Sequence, residues 1–166
     1  MGPAAEDDRL PEIWEAQTAT LALPNTGMAV TTDISNLRDI HPKNKQDVGK
    51  RLALWALAKT YERKGLVYSG PLYKGHKVKG SSIEFHFDHA YGQLASNDEK
   101  PLTHFQLAGE DGEFKPAVAT IEGDKLIVTS DAVAKPVNVR FGWHQLAEPN
   151  LVNSGGLPAS PFRTDK

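Results

Sequence analysis

Gly27-Met28-Ala29-Val30-Thr31-Thr32 runs into Asp33-Ile34-Ser35-Asn36-Leu37-Arg38-Asp39-Ile40-His41-Pro42-Lys43, and Asn44-Lys45-Gln46-Asp47-Val48-Gly49 follows at once. The first six residues form an apolar run too brief for a helix, which predicts a short buried strand. Asn44, with Asp47 three residues on, imitates a capping box, and the spacing predicts a helix from Asn44 to about Lys64, before Gly65. Strand, polar loop and helix in that order form an α/β signature, in which ligands and catalytic groups gather at the carboxyl ends of strands. Residues 33 to 41 hold that place. Asp39 stands two residues before His41, which makes His41 a candidate general base with an acid beside it.

Outward from this unit, the helix carries two adjoining apolar stripes. Val48, Leu52, Trp55 and Ala56 make one, and Leu54, Leu57, Ala58 and Tyr61 the other, a broad face suited to packing on a sheet. Gly49 inside it costs about 1 kcal/mol against Ala, and close approach of the helix to a strand or loop is the expected return. Lys59, Arg63 and Lys64 suit its far end. Upstream, residues 11 to 21 predict a short helix, with Pro11 in its first turn, Glu12 and Glu15 near its start, and a packing stripe of Ile13, Trp14, Gln17 and Leu21. Pro24-Asn25-Thr26-Gly27 ends that pattern.

After Gly65 the pattern turns to β. Ile83, Phe85 and Phe87 alternate with Glu84, His86 and Asp88. A further run, His104 to Ala108, closes at Gly109-Glu110-Asp111-Gly112. Residues 117–121 and 126–129 flank Glu122-Gly123-Asp124-Lys125 as a hairpin, and Val137 to Trp143 alternates again. Short strands at even spacing predict a β-sandwich from about Gly70, with Phe85, Phe87, Ile121, Ile127 and Val139 inside. The tail from Asn150 has Gly155, Gly156, Pro158, Pro161 and no period, which reads as an extended segment laid over a surface. The expected division is therefore residues 1–69, α/β, and residues 70–166, all-β.

Composition narrows the function classes. In 166 residues, apolar content of 39% and charged content of 24% fit a folded globular chain rather than a disordered one. A net charge of −2 with both signs interspersed implies no surface for nucleic acid or anionic membrane. No apolar run approaches the roughly 18 residues of a membrane span. Without cysteine, disulfides and thiolate zinc sites are excluded, while the compartment stays open. Met1 to Asp8 lacks a basic stretch before an apolar core, so it reads as a polar, frayed lead-in and not a signal peptide.

The wording of residues 31 to 49 resembles the last catalytic block of the sialate O-acetylesterase group of SGNH hydrolases. Leu66-Val67-Tyr68-Ser69-Gly70-Pro71-Leu72-Tyr73 and residues 156–165 resemble the same group, and the likeness runs from about Trp14 to Asp165. It implies the C-terminal remnant of an SGNH-type α/β hydrolase domain followed by a small β-sandwich domain. The implied activity is removal of acetyl esters from hydroxyls of sialic acid or related sugars, by a Ser-His(-Asp) mechanism without a cofactor. Complete members are often secreted, periplasmic or lysosomal. His41 carries over as the base. The group often places its acid three residues earlier, where this chain has Arg38. Asp39 is then the orienter by adjacency, Asp33 is the reserve, and a dyad without an acid stays open. No Gly-Asp-Ser or Gly-Gln-Ser block precedes Asp39, and Ser35 lacks the Gly-rich turn of a nucleophile. The serine is therefore expected outside this sequence and the isolated chain is expected to be inactive, with its bare helical face prone to self-association. The alternative is a non-catalytic β-sandwich module binding glycan or a partner protein.

Three further clusters carry blander readings. His86, Asp88 and His89 lack zinc spacing and read as an exposed strand face. Trp143, Tyr73 and Tyr91 have the chemistry to stack on sugar rings, but aromatics in sandwiches usually pack. Glu110-Asp111-Gly112-Glu113 lacks the alternating ligands of a calcium loop and reads as solvated.

Overall fold

A computed structural model describes residues 9–39 and 41–165. The lead-in Met1–Asp8 falls outside the described residues, as does Ile40 within the loop before His41. Helix α1 spans Arg9–Ala19 and tightens into a 3-10 turn over Thr20–Ala22. Pro11 sits in the first turn, where its missing N–H leaves no bond unmade. The expected stripe is only half used: Trp14 and Leu21 are partly covered, but Ile13 is 52% exposed. Pro11 is fully buried, and two polar contacts join α1 to the C-terminal tail. Thr18 Oγ1 and Ser160 Oγ share a 2.9 Å hydrogen bond, and Arg163 Nη2 donates to Glu15 Oε2 at 3.1 Å.

Helix α2 spans Lys45–Lys59, shorter than expected. Its start matches the sequence reading: Asn44 Oδ1 accepts from the Asp47 N–H at 3.1 Å, and Asn44 Nδ2 donates to Asp47 Oδ2 at 2.8 Å. It stops early because the Tyr61 N–H bonds the Ala56 carbonyl, the Arg63 N–H bonds the Leu57 carbonyl, and Glu62 takes a left-handed φ of 51°. Gly49 is exposed and a Cβ there would meet nothing within 4 Å, so close approach is not its purpose. That role belongs to Gly27, where a Cβ would stand 2.8 Å from Trp55 Cβ.

Among the described residues the ten strands all lie from Leu72 onward: β1 Leu72–Lys79, β2 Ser82–Asp88, β3 Leu94–Ser96, β4 Phe105–Ala108, β5 Lys115–Pro116, β6 Val118–Glu122, β7 Lys125–Thr129, β8 Asn138–Phe141, β9 Leu151–Asn153 and β10 Phe162–Arg163. Two antiparallel sheets, ordered β1-β2-β7-β6 and β10-β8-β4-β5, enclose one core, and β3 and β9 pair at its side. Ile83, Phe85 and Phe87 of one sheet meet Phe105, Leu107, Val139 and Phe141 of the other. The β-sandwich is as expected, and so is the inward placement of Phe85, Phe87 and Val139, with Ile121 partly buried against them. Ile127 is not inside. It pairs with Glu84 and Thr120 on the outer face, and its neighbours Leu126 and Val128 fill the core. A one-residue offset of this kind moves a whole strand's side chains to the opposite face.

Residues 27–32 form no strand. They lie beside α2 with no ladder partner among the described residues, and Thr32 already belongs to the turn that follows. The tail also differs from expectation, because it is core rather than covering. Leu151, Val152, Asn153, Ala159, Ser160 and Phe162 are all buried. The Phe162 ring stacks near-parallel on Tyr73 at 4.7 Å and lies 5.7 Å from Phe85, 5.9 Å from Phe87 and 5.6 Å from Phe141. One tail residue thus joins both sheets. Asn153 ties the tail to the rest, its Nδ2 donating to the Ser69 carbonyl at 2.8 Å and the His89 carbonyl at 2.9 Å. The helical part docks on the β part through Trp55, whose ring meets Tyr68 edge-on at 4.9 Å and His89 at 6.2 Å.

Candidate functional site

The loop between residues 27–32 and α2 is built from short polar side chains that bond nearby backbone. The Ile34 N–H reaches the Thr31 carbonyl, and Ser35 Oγ donates to the Thr32 carbonyl at 3.3 Å. Asn36 Oδ1 accepts from the Arg38 N–H at 3.0 Å, and the Asn36 carbonyl accepts from the Asp39 N–H. Asp39 Oδ1 then accepts from the His41 N–H at 2.9 Å. Such local bonds compete with helix and strand ladders, which is why this stretch folds as successive turns. Asn44 ends the series as the cap of α2.

Asp39 and His41 are brought together. His41 Nδ1 lies 3.3 Å from Asp39 Oδ1, on the same oxygen that holds the His41 backbone. The His41 side chain is 84% exposed and that of Asp39 is 45% exposed. The reserve acid, Asp33, is engaged elsewhere. Its two carboxylate oxygens accept from Arg51 Nη1 and Nη2 at 2.7 and 2.6 Å, a bidentate pair with both side chains nearly buried. Ser35 is occupied as a turn former, with its hydroxyl on the Thr32 carbonyl.

Two contributors near this loop were not foreseen from sequence. Arg51 lies 18 residues beyond Asp33, and only the phase of α2 brings it to the carboxylate. Glu148 arrives from the β part, where it lines an open cleft of about 430 Å³ together with Asn36, Arg38, Lys43 and Asn44 of the loop. No local signal marks it, because the 144–150 segment has no period. Burial, first, holds the His104 imidazole below its ordinary value, His144 adds to this, and Glu148 opposes it.

The other clusters resolve into packing and ion pairs. His86 Nε2 is 3.1 Å from Glu84 Oε1, Lys79 Nζ donates to Glu84 Oε2 at 2.6 Å, and Asp88 pairs with Lys74 at 2.7 Å. Among the described residues no group of three or more His, Cys, Asp or Glu is placed to hold a metal ion. Trp143 is buried with the Arg163 guanidinium 4.6 Å over its ring, and Tyr73 is stacked on Phe162, so neither ring is presented. The three acids between Glu110 and Glu113 are exposed. No helix among the described residues is long and apolar enough to cross a membrane.

No family model matches the chain. Sialate O-acetylesterases of Pongo abelii and Homo sapiens are each 41% identical to it over 178 residues, which cover 95% of this chain and 34% of the relative. That of Mus musculus is 32% identical over 179 residues, covering 95% of this chain and 32% of the relative. The crystal structure of a carbohydrate acetylesterase from Xanthomonas citri matches with a TM-score of 0.87 and 48% identity, over 92% of this chain and 35% of its own. The chain spans about a third of the length of the curated relatives it matches. Along nearly all of its residues, in sequence and in fold alike, the chain is similar to a part of the sialate O-acetylesterases and of this carbohydrate acetylesterase.

Proposed function

We propose that the chain is the histidine-bearing, C-terminal part of a carbohydrate O-acetylesterase, acting on sialate-type acetyl esters, whose serine lies on a segment outside this sequence. The observation that carries this reading is the Asp39–His41 pair, with Nδ1 and Oδ1 3.3 Å apart on the loop that leads into α2. A proton on Nδ1, directed at Asp39, leaves the Nε2 lone pair free to take the proton of a serine hydroxyl. The serine oxygen bonds to the acetyl carbonyl carbon. The tetrahedral intermediate then collapses, the sugar oxygen leaves, and it takes the proton from Nε2. Water repeats the sequence on the acetyl-enzyme and releases acetate. No step needs a cofactor.

The surroundings support an incomplete site. At 84% exposure, His41 has no wall to exclude water, and a general base acts on a substrate held within about 3 Å of it. Among the described residues, residues 27–32 have no ladder partner and Thr32 Oγ1 is buried without a partner. Leu52 on α2 is 47% exposed. On this reading residues 1–69 complete an α/β esterase domain supplied mainly by the further segment, and residues 70–166 form the β-sandwich unit. Glu148 reaches the loop from that unit, in a position to contact the sugar.

A chimera tests this. The chain replaces the matching 35% of the Xanthomonas citri acetylesterase. The chimera is expected to hydrolyse an acetylated sugar, and His41→Ala to lower kcat by about 10⁶-fold. A folded chimera whose hydrolysis is indifferent to His41→Ala would refute the assignment.

A further inference from the structure

We propose that Arg51 and Asp33 are positioning residues that hold the His41 loop at its base, a role that rests on the reading of His41 as the base. The loop leaves residues 27–32 at Asp33 and enters α2 at Asn44. Among the described residues, the hydrogen bonds made from Ile34 to His41 run only between near neighbours, and none reaches the β core. Its two ends must therefore be fixed to one another from outside, and Arg51 is placed to do so. Nη1 donates to the Val30 carbonyl at 2.6 Å and to Asp33 Oδ1 at 2.7 Å, and Nη2 donates to Asp33 Oδ2 at 2.6 Å. The guanidinium thus grips a backbone carbonyl before the loop and a carboxylate at its first residue, from the second turn of the helix that the loop enters.

The geometry favours a positioning role over a merely stabilising one. Residues 27–32 have no strand neighbour among the described residues, so the bond to the Val30 carbonyl stands where a sheet ladder would otherwise fix their height along α2. One turn further along the helix, Gly27 lies against the Trp55 side chain. The two contacts set residues 27–32 antiparallel to α2 and fix their register. The Arg51 and Asp33 side chains are 12% and 13% exposed, so water screens the pair little. Asp33 thereby has no free oxygen with which to orient His41, and its part is to place the turn series that ends at Asp39 and His41. Catalytic groups must be held within about 0.5 Å of their working geometry, and exposed loops meet that only when their ends are fixed. A planar fork bonding two oxygens of one carboxylate supplies direction that an ammonium does not.

The test uses the full chain, labelled with ¹⁵N, as wild type, Arg51→Lys, Arg51→Ala and Asp33→Asn. Backbone order parameters are measured for Asp39 and His41 beside those of β2 and β7, with a thermal melt for each variant. In wild type both loop amides are expected near the rigid value of about 0.85, and in Arg51→Lys and Arg51→Ala to fall below about 0.6 while β2 and β7 stay ordered and the melt stays cooperative at a lowered midpoint. Lysine keeps the charge, so its failure to rescue identifies the fork. Should Arg51→Ala not fold, Arg51→Lys and Asp33→Asn decide. Unchanged order at Asp39 and His41 in those two variants would overturn the proposal, as would a melt that collapses in every variant. In the acetylesterase chimera, Arg51→Lys is expected to lower kcat at least tenfold with KM unchanged. An inactive chimera counts against His41 as the base, whereas the order parameters judge the clamp by itself.

Discussion

Replacing Asn153 removes one side chain that four separate backbone groups depend on. Asn153 is 1% exposed. Its Nδ2 donates to the carbonyls of Ser69 and His89, and its Oδ1 accepts from the N–H groups of Gly155 and Leu157 at 3.1 and 3.2 Å. Each such bond contributes about 1 kcal/mol net, and a buried partner left unsatisfied loses its desolvation energy as well. Asn153→Ala should therefore lower the unfolding free energy by about 4 kcal/mol, a large part of the roughly 5–15 kcal/mol that a domain has. Asn153→Asp divides the effect. The carboxylate can still accept from Gly155 and Leu157, but it cannot donate to Ser69 or His89, and it places a charge where water does not reach. It should be at least as damaging as Ala at neutral pH. Urea unfolding followed by tryptophan fluorescence, extrapolated linearly, measures both. A loss below about 1 kcal/mol for Asn153→Ala, or an Asn153→Asp protein as stable as wild type, would refute the view that this residue joins the tail to the helical part.

Further outcomes follow from other contacts. Gly70→Ala puts a Cβ 1.9 Å from the Pro158 carbonyl oxygen, backbone against backbone, and should cost about 3 kcal/mol, read as a lowered urea midpoint. Burial, chiefly, holds the His89 imidazole below its ordinary 6.5, with Lys59 adding to this and Asp88 opposing it. The unfolded chain then takes up this proton first. Stability from His89 is full above about pH 6.5 and is lost as pH falls toward the lower folded value. His89→Asn, which tolerates the left-handed φ of 61°, should flatten that decline between pH 7.5 and 5.5, and identical slopes would count against it. The isolated chain should self-associate through Leu23, Leu52 and Tyr61, which are 61%, 47% and 72% exposed. Leu52→Glu should weaken this in sedimentation velocity, and a concentration-independent wild-type monomer would end the idea.

Legibility in the sequence followed the range of the forces. The α2 cap needs only Asn44 and Asp47, three residues apart, and was readable. So were the Gly123-Asp124 hairpin and the alternation of β2, because both are local patterns. Strand β1 was not: Lys74, Gly75, His76, Lys77 and Lys79 give it no apolar period, and it pairs along one edge of its sheet with only β2. Residues 27–32 read as a strand because their composition suits burial on two faces, yet a strand also needs a neighbour, which no local pattern reports. The tail was misread for the opposite reason. Its prolines and glycines hide any period, and Asn153 and Ser160 look like surface residues, although they are buried where they bond distant backbone or side-chain atoms. At the site, Asp39 beside His41 was readable from adjacency. The Arg51 grip on Asp33 and the approach of Glu148 depend on tertiary placement and were not.

The meeting of α1 with the C-terminal tail has a consequence for how the chain acquires its fold. Glu15 pairs with Arg163 across 148 positions, and Thr18 with Ser160 across 142. Phe162, between the two sheets, comes from the same segment. Both closures bring distant parts of the chain together, and the loop entropy of doing so is spent before any contact offsets it. The sandwich therefore cannot shut until residues 151–165 are available. Phe162 covers side chains of β1, β2 and β8, and until it docks those faces stay open to other chains. Slow refolding, with aggregation that rises steeply with concentration, is the kinetic mark expected of such a late-closing topology.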